Sequence, residues 1–171
     1  MTTIERIKEA VKDLPSYILD DDLAVYAEYA PKVKTIVDVG TGWGKSALAL
    51  STANEDAEVF TFDTGQQPIA SGSYKNVKEY NQAMNILFGN NAIYFNHIVI
   101  PTMIDLLHLD LMPFDDIHGL LEWWLPRTTK YLLYRNFERE EEKKALNPFL
   151  NRLKLIETKG RIAVYENTHA S

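Results

Sequence analysis

A ten-residue segment in the first third of the chain, VDVGTGWGKS at 37–46, restricts the fold more than any other feature. It joins a run of β-branched residues at 35–39 to an Ala- and Leu-rich helical stretch that begins at Lys45. The three glycines between them can adopt positive φ angles and carry no side chains that would block a ligand. A strand that passes through such a turn into a helix presents the backbone amides of the helix N-terminus to a ligand. The segment therefore predicts a ligand-binding α/β sheet.

The rest of the chain alternates short apolar runs with stretches that repeat apolar residues at helical spacing. The predicted strands are 35–39, 58–62, 93–98, 105–110 and 131–134, followed by a hairpin of 154–157 and 161–165. The predicted helices are 4–14, 20–30, 45–54, 77–88, 117–125 and 138–151. Such alternation predicts a doubly wound, mostly parallel sheet of about seven strands with a C-terminal antiparallel hairpin. We expect residues 1–171 to form a single domain, with N-terminal helices at 1–31 and the sheet-containing core at 35–165.

The composition argues against several classes of protein. The 171 residues carry a net charge of -6, whereas binding to nucleic acid or anionic lipid needs a basic surface. Cysteine is absent, which excludes disulfides, thiolate metal sites and a cysteine nucleophile. No apolar run approaches the ~20 residues of a membrane span, and the charged N-terminus lacks the apolar core of a signal peptide. We therefore expect a cytoplasmic protein without a membrane or nucleic-acid partner.

Three classes of ligand bind at glycine turns, and the spacing of the glycines distinguishes them. A dinucleotide site needs G-x-G-x-x-G, but its third glycine would fall on Lys45. A phosphate-binding P-loop needs G-x-x-x-x-G-K-[ST]; the GKS at 44–46 supplies its end, but Val39 stands where its first glycine should be. The pattern acidic-x-G-x-G-x-G fits at every position, through Asp38 and the glycines at 40, 42 and 44.

With this third pattern the chain resembles the class I S-adenosylmethionine-dependent methyltransferases over about residues 36–165. The segments IDLLHLD at 104–110 and WWLP at 123–126 are similar to the fourth strand and the following helix of the small-molecule and sugar O-methyltransferase branch. The resemblance implies a Rossmann-like fold, S-adenosyl-L-methionine as cofactor, and methyl transfer to an oxygen or nitrogen of a small-molecule acceptor. It also implies that a carboxylate after the second strand holds the ribose hydroxyls. The candidate cofactor-binding residues are then Asp38, Gly40, Thr41, Gly42, Trp43, Gly44, Asp63 and Thr64. Trp43 could cover the methionine end of the cofactor, and Thr64 places a hydroxyl beside the site. Asp63 could instead only cap a loop, and Thr64 could be an ordinary exposed loop residue.

The alternative for Asp38 is that its carboxylate only anchors the turn. The candidate catalytic residue is Asp110, at a strand end that faces the predicted cleft, where a carboxylate could orient or deprotonate an acceptor hydroxyl. A strand-end carboxylate without a chemical role fits the sequence equally well. A histidine is the other candidate base, but His97 and His108 lie within predicted strands and are expected to be hydrogen-bonded core or surface residues.

We expect no metal. The metal-dependent members of the family carry Asp-Gly-Asp-His after the fourth strand, whereas this chain has DLMP at 110–113 and so lacks the second acid. The acidic pair at 115–116 before His118 opens a predicted helix, where acidic side chains cap the helix and suit its dipole.

Two other functions remain open. The family normally has a helix between the third and fourth strands, where only about 99–104 remains here, so the chain could be a degenerate binding or scaffolding module without catalysis. The GKS at 44–46, with Asp110 as the magnesium-side acid, would instead suit a P-loop-like nucleotide phosphotransferase. The paired tryptophans at 123–124 permit a homodimer.

Overall fold

The computed structural model describes residues 1–14, 17–62, 92–93, 101–111 and 116–169. Its strands form one sheet in the order β3-β2-β1-β4-β5-β7-β6. They are β1 Thr35–Val39, β2 Glu58–Phe62, β3 Ala92–Ile93, β4 Ile104–Leu109, β5 Thr128–Arg135, β6 Leu153–Lys159 and β7 Ile162–Asn167. Six of the strands have five to eight residues, and the edge strand β3 has two. Strands β1 to β5 are parallel, and β7 is antiparallel to both β5 and β6. The predicted mostly parallel sheet with a C-terminal hairpin is confirmed.

The local sequence accounts for where several of the helices end. They are α1 Thr3–Val11, α2 Asp20–Tyr29, α3 Lys45–Ala53, α4 Ile117–Trp124 and α5 Glu140–Leu146. Short 3-10 turns follow three of them, at Ala30–Lys32, Leu125–Arg127 and Asn147–Arg152, and each turn contains a proline at its start. Proline lacks a backbone N–H and disfavours continued α-helix, so α5 ends well before the predicted limit at 151. The helix predicted over 77–88 and most of the strand predicted over 93–98 lie outside the described residues.

Two apolar cores cover the two faces of the sheet. Alternate strand residues point to opposite faces, so Ile36 packs with α1, α2 and α3, whereas Val37 packs with α4 and α5. The glycine turn follows β1 at the edge where the parallel strands end, which is the edge where open α/β sheets bind ligands. None of the helices in the described part of the chain has the length and apolar character that a membrane crossing needs.

Candidate functional site

The glycine turn brings the ends of β1 and β4 into close contact. Gly40 has a φ of 97°, and a Cβ at this position would lie 2.8 Å from the carbonyl carbon of Asp110 and would overlap its oxygen. The backbone N–H of Gly40 donates to Phe62 O at 2.8 Å, and that of Asp110 donates to Val39 O at 2.9 Å. Gly40 is therefore required for packing between strands, because any side chain would push β4 away.

Gly42 has a different role. Its φ is 49°, and the nearest described atom to a Cβ built there is the Gly40 carbonyl oxygen, at 4.0 Å. Among the described residues, no side chain fills the space next to the Gly42 backbone, which is of the kind that a ligand can occupy. Gly44 has a φ of 78° and forms the N-cap of α3, and its N–H donates to Thr41 O at 2.7 Å. Trp43 lies half-buried between these two glycines.

Asp38 anchors the glycine turn through hydrogen bonds of its buried carboxylate. Its side chain is fully buried, and Oδ1 lies 2.6 Å from His108 Nδ1. Oδ2 accepts hydrogen bonds from Ser46 Oγ at 3.1 Å and Thr61 Oγ1 at 2.9 Å. Thr61 Oγ1 in turn lies 2.5 Å from Thr41 Oγ1 in the turn. This geometry favours the anchoring role of Asp38, and direct contact with a ligand stays a prediction.

His108 is a hydrogen-bonded core residue, as expected from its place in a strand. Its Nε2 lies 3.0 Å from the hydroxyl of Tyr26, and both side chains are fully buried. Burial, together with the charges of Asp110 and Asp38, raises the pKa of Tyr26 well above its ordinary value. The hydroxyl therefore keeps its proton. The Asp38 carboxylate can only accept, so Nδ1 of His108 carries a proton, and in a neutral ring Nε2 is then the acceptor for a hydrogen bond from the Tyr26 hydroxyl.

Asp110 belongs to a cluster of charges. Both of its carboxylate oxygens accept from Nη1 of Arg135, at 2.9 and 2.8 Å, and Oδ1 also accepts from Asn136 Nδ2 at 3.1 Å. Arg135 donates further to the fully buried Asp22 at 3.2 Å and to Tyr17 O at 2.6 Å. Burial disfavours the guanidinium charge, but the nearby carboxylates outweigh that effect and raise the pKa of Arg135. Asp110 is therefore firmly paired, and its action as a base stays a prediction.

The ion pair between Arg135 and Asp110 also argues against a metal ion at this site. A divalent ion at Asp110 would have to displace Arg135, so these residues do not fit a metal site. Within the described ranges no group of three or more His, Cys, Asp or Glu side chains could hold an ion. Asp116 caps α4, since its Oδ1 accepts from the N–H of Gly119 at 2.9 Å. The capping role expected of this acidic pair is confirmed for Asp116, and Asp115 lies outside the described residues.

The structure brings Asp38, the turn at 40–44 and Asp110 to one edge of the sheet, whereas Asp63 and Thr64 lie outside the described residues. Sequence reasoning missed Arg135 and Asn136 at this edge. A signal for them exists: an Arg-Asn pair directly follows the apolar run predicted as the fifth strand, and parallel strands end at a common edge.

The P-loop alternative is not supported. Its first glycine would fall on Val39, but this residue is the last of β1, pairs with Phe62 and Leu109, and is buried. A residue in that position cannot begin a phosphate-binding loop, because the loop starts only after it.

Comparison with known proteins shows the fold. No family model and no curated protein matches the sequence. The structure is similar to that of the methyltransferase PaMTH1 from Podospora anserina, solved with SAH, at 15% identity over 96% of this chain and 86% of that one, with a TM-score of 0.65. It is similar to the O-methyltransferase TomG from Streptomyces achromogenes, solved with SAM, at 12% identity over 98% and 90%, with a TM-score of 0.62. An O-methyltransferase from Bacillus cereus, solved with SAH, matches at 14% identity over 98% and 91%, with a TM-score of 0.60. The chain has the fold of the class I methyltransferases, as the resemblance implied.

Proposed function

We propose that this protein is an S-adenosylmethionine-dependent methyltransferase that acts on an oxygen or nitrogen of a small-molecule acceptor. The observation that carries the proposal is the turn at 40–44, beside which no side chain of the described residues fills the space next to Gly42, at the edge where open α/β sheets bind ligands. The bound cofactor would supply a methyl group on a sulfonium, which is already a good leaving group. The task of the chain is then to align the acceptor with that methyl group.

The position of each residue indicates its proposed role. Thr41, Gly42, Trp43 and Gly44 would contact the cofactor. Gly40 allows the turn to pack against the backbone of Asp110. Asp38 anchors the turn through its buried carboxylate. Asp63, which follows β2 in the sequence, would hold the ribose hydroxyls, as the family resemblance implies, and the hydroxyl of Thr64 would lie beside the site. A cytoplasmic location and a homodimer stay predictions from the sequence.

At the acceptor side, Asp110 is proposed as the residue that orients or deprotonates the acceptor. Its side chain is 20% exposed, so part of the carboxylate can be reached although Arg135 pairs with it. We propose that the reaction needs no divalent ion, because the Arg135 guanidinium already neutralises Asp110. The turnover rate should therefore be unchanged by EDTA.

Calorimetric titration with S-adenosylhomocysteine tests the proposal. Wild-type protein should bind it, and Gly42→Arg should not, because the new side chain fills the space above the turn. Asn151→Arg is the matched control, since it adds the same charge at an exposed residue before β6, at the opposite edge of the sheet. Absence of heat with wild-type protein at high micromolar concentration, or equal binding by Gly42→Arg, would remove the proposal.

Turnover of labelled S-adenosylmethionine in the presence of cell extract distinguishes a catalytic methyltransferase from a non-catalytic binding module. Labelled methyl should appear in an extract component with wild-type protein and not with Gly42→Arg. Binding of S-adenosylhomocysteine without any such transfer would favour the non-catalytic module.

A further inference from the structure

The sheet face beneath α2 changes from apolar to polar as it approaches the glycine turn. In register across three neighbouring strands lie Thr61, Asp38 and His108, all buried. Two residues before Asp38 and His108, the same face carries Ile36 and Leu106 in the apolar core. Buried polar side chains are costly unless they are hydrogen-bonded, so this row depends on partners from outside the sheet.

Helix α2 supplies such partners. Asp22 and Tyr26 are four residues apart and therefore lie on one face of the helix. The Tyr26 hydroxyl reaches His108 at 3.0 Å, and the Asp22 carboxylate reaches Arg135 at 3.2 Å. Both side chains have 0% exposure. One face of α2 thus contacts His108 and Arg135, which lie near the ends of β4 and β5.

We propose that Tyr26 and His108 are positioning residues for the cofactor, an inference that rests on the proposed function of the glycine turn. They form a hydrogen-bonded relay, Tyr26–His108–Asp38, that fixes the orientation of the Asp38 carboxylate. Asp38 then holds both ends of the turn: Ser46, in the first turn of α3, bonds to it directly, and Thr41 is linked to it through a threonine of β2. Neither relay residue touches the cofactor.

The relay acts through the orientation of the imidazole ring. The Nδ1 proton points at Asp38, and the Tyr26 hydroxyl that donates to Nε2 holds the other side of the ring. Without that hydroxyl, Nε2 is a buried acceptor that has lost its donor, and the ring loses the hydrogen bond that fixes its orientation. The Nδ1–H donor would then be held less firmly against the Asp38 carboxylate, and the glycine turn would lose a restraint.

Tyr26→Phe and Tyr29→Phe form a matched pair that tests the relay. Both tyrosines are buried on α2, and each variant removes a single hydroxyl; that of Tyr29 donates to Glu157 at 2.6 Å, on β6 and away from the turn. We expect similar losses in unfolding midpoint from both variants. Only Tyr26→Phe should weaken S-adenosylhomocysteine binding, by about five- to tenfold, which corresponds to the net value of a hydrogen bond. Equal affinities of the two variants would overturn the relay.

Substitution of His108 provides a rescue test. His108→Asn places an amide donor near the position of Nδ1 and can still bond to Asp38, whereas His108→Leu cannot. We expect the asparagine variant to bind S-adenosylhomocysteine more tightly than the leucine variant, at comparable fold as judged by circular dichroism. Equal binding by the two would contradict the proposal. If the leucine variant does not fold, Tyr26→Phe in the His108→Asn background decides. The asparagine amide donates to Asp38 without help from the Tyr26 hydroxyl, so a further loss of affinity on adding Tyr26→Phe would contradict the proposal. Failure of wild-type protein to bind would instead remove the proposed function.

Discussion

Replacement of Gly40 by alanine tests whether the glycine turn is set by packing between strands, and Gly42→Ala is its control. Both residues have positive φ, at 97° and 49°, so both substitutions place an L side chain in an unfavourable backbone region. Among the described atoms, the Cβ at Gly40 overlaps another part of the backbone, that of Asp110, whereas the Cβ at Gly42 comes no closer than 4.0 Å to the Gly40 carbonyl oxygen. The two variants should therefore differ in stability although the chemical change is the same.

The expected difference follows from two contributions. Positive φ costs an alanine about 1–2 kcal/mol, and this part applies to both variants. At Gly40 the Cβ would lie 2.8 Å from the Asp110 carbonyl carbon and closer to its oxygen, so the ends of β1 and β4 must separate. That movement strains the bonds from Gly40 N to Phe62 O and from Asp110 N to Val39 O, each worth about 1 kcal/mol. We expect losses of about 3–4 kcal/mol for Gly40→Ala and about 1–2 kcal/mol for Gly42→Ala.

Urea unfolding followed by circular dichroism measures both losses by linear extrapolation. A total stability of about 5–15 kcal/mol leaves both variants folded enough to measure. Equal losses for the two alanine variants would show that β4 adjusts freely to a side chain at Gly40, and the packing argument would then be wrong.

Three further outcomes are expected from urea unfolding. Arg135→Ala leaves the carboxylates of Asp22 and Asp110 without their cation, so stability should fall by about 3–5 kcal/mol; a loss below about 1 kcal/mol would show that these charges are solvated. Burial alone would raise the pKa of Asp105, but hydrogen bonds from a backbone amide and a threonine hydroxyl lower it below its ordinary value. Its stabilisation is therefore present at neutral pH and lost as pH falls through the folded pKa, and Asp105→Asn should lose less stability than wild type between about pH 7 and about pH 3. Asn54→Ala removes an amide that donates to two backbone carbonyls before β1, at 3.0 and 2.8 Å. We expect a loss of about 1–2 kcal/mol in the free energy of unfolding. An unchanged urea midpoint would contradict this expectation.

Most of the fold could be predicted because it depends on patterns within short segments. The alternation of apolar residues distinguishes β1 and β2 from α3, and the short turn between two strand-like runs predicts the β6–β7 hairpin. Element ends were less accurate. The helix predicted over 138–151 stops at Leu146, because Pro148 directs the chain into a 3-10 turn. Strand β5 extends beyond its predicted limits of 131–134, since Thr128 pairs with Ile104 of β4 and Arg135 pairs with Ile162 of β7.

The candidate site also has one part that could be predicted from the sequence and one part that could not. The glycine turn followed from the sequence, since its requirement for positive φ and its strand and helix neighbours all lie within ten residues. The relay could not be predicted, because the choice between an anchoring and a ligand-binding role for Asp38 depends on His108, 70 positions away, and on Tyr26 from another helix.

A glycine turn between a buried strand and a helix can be identified without a structure, because backbone conformation and apolar periodicity are local properties. The partners of the charged side chains depend instead on how distant segments pack. Arg135 pairs with Asp110 across 25 residues and with Asp22 across 113, and no spacing in the sequence encodes either pair. The physical reason is that a buried charge is stabilised by whatever opposite charge the packed chain brings within hydrogen-bond distance, and that distance is set by the sheet order and the position of α2.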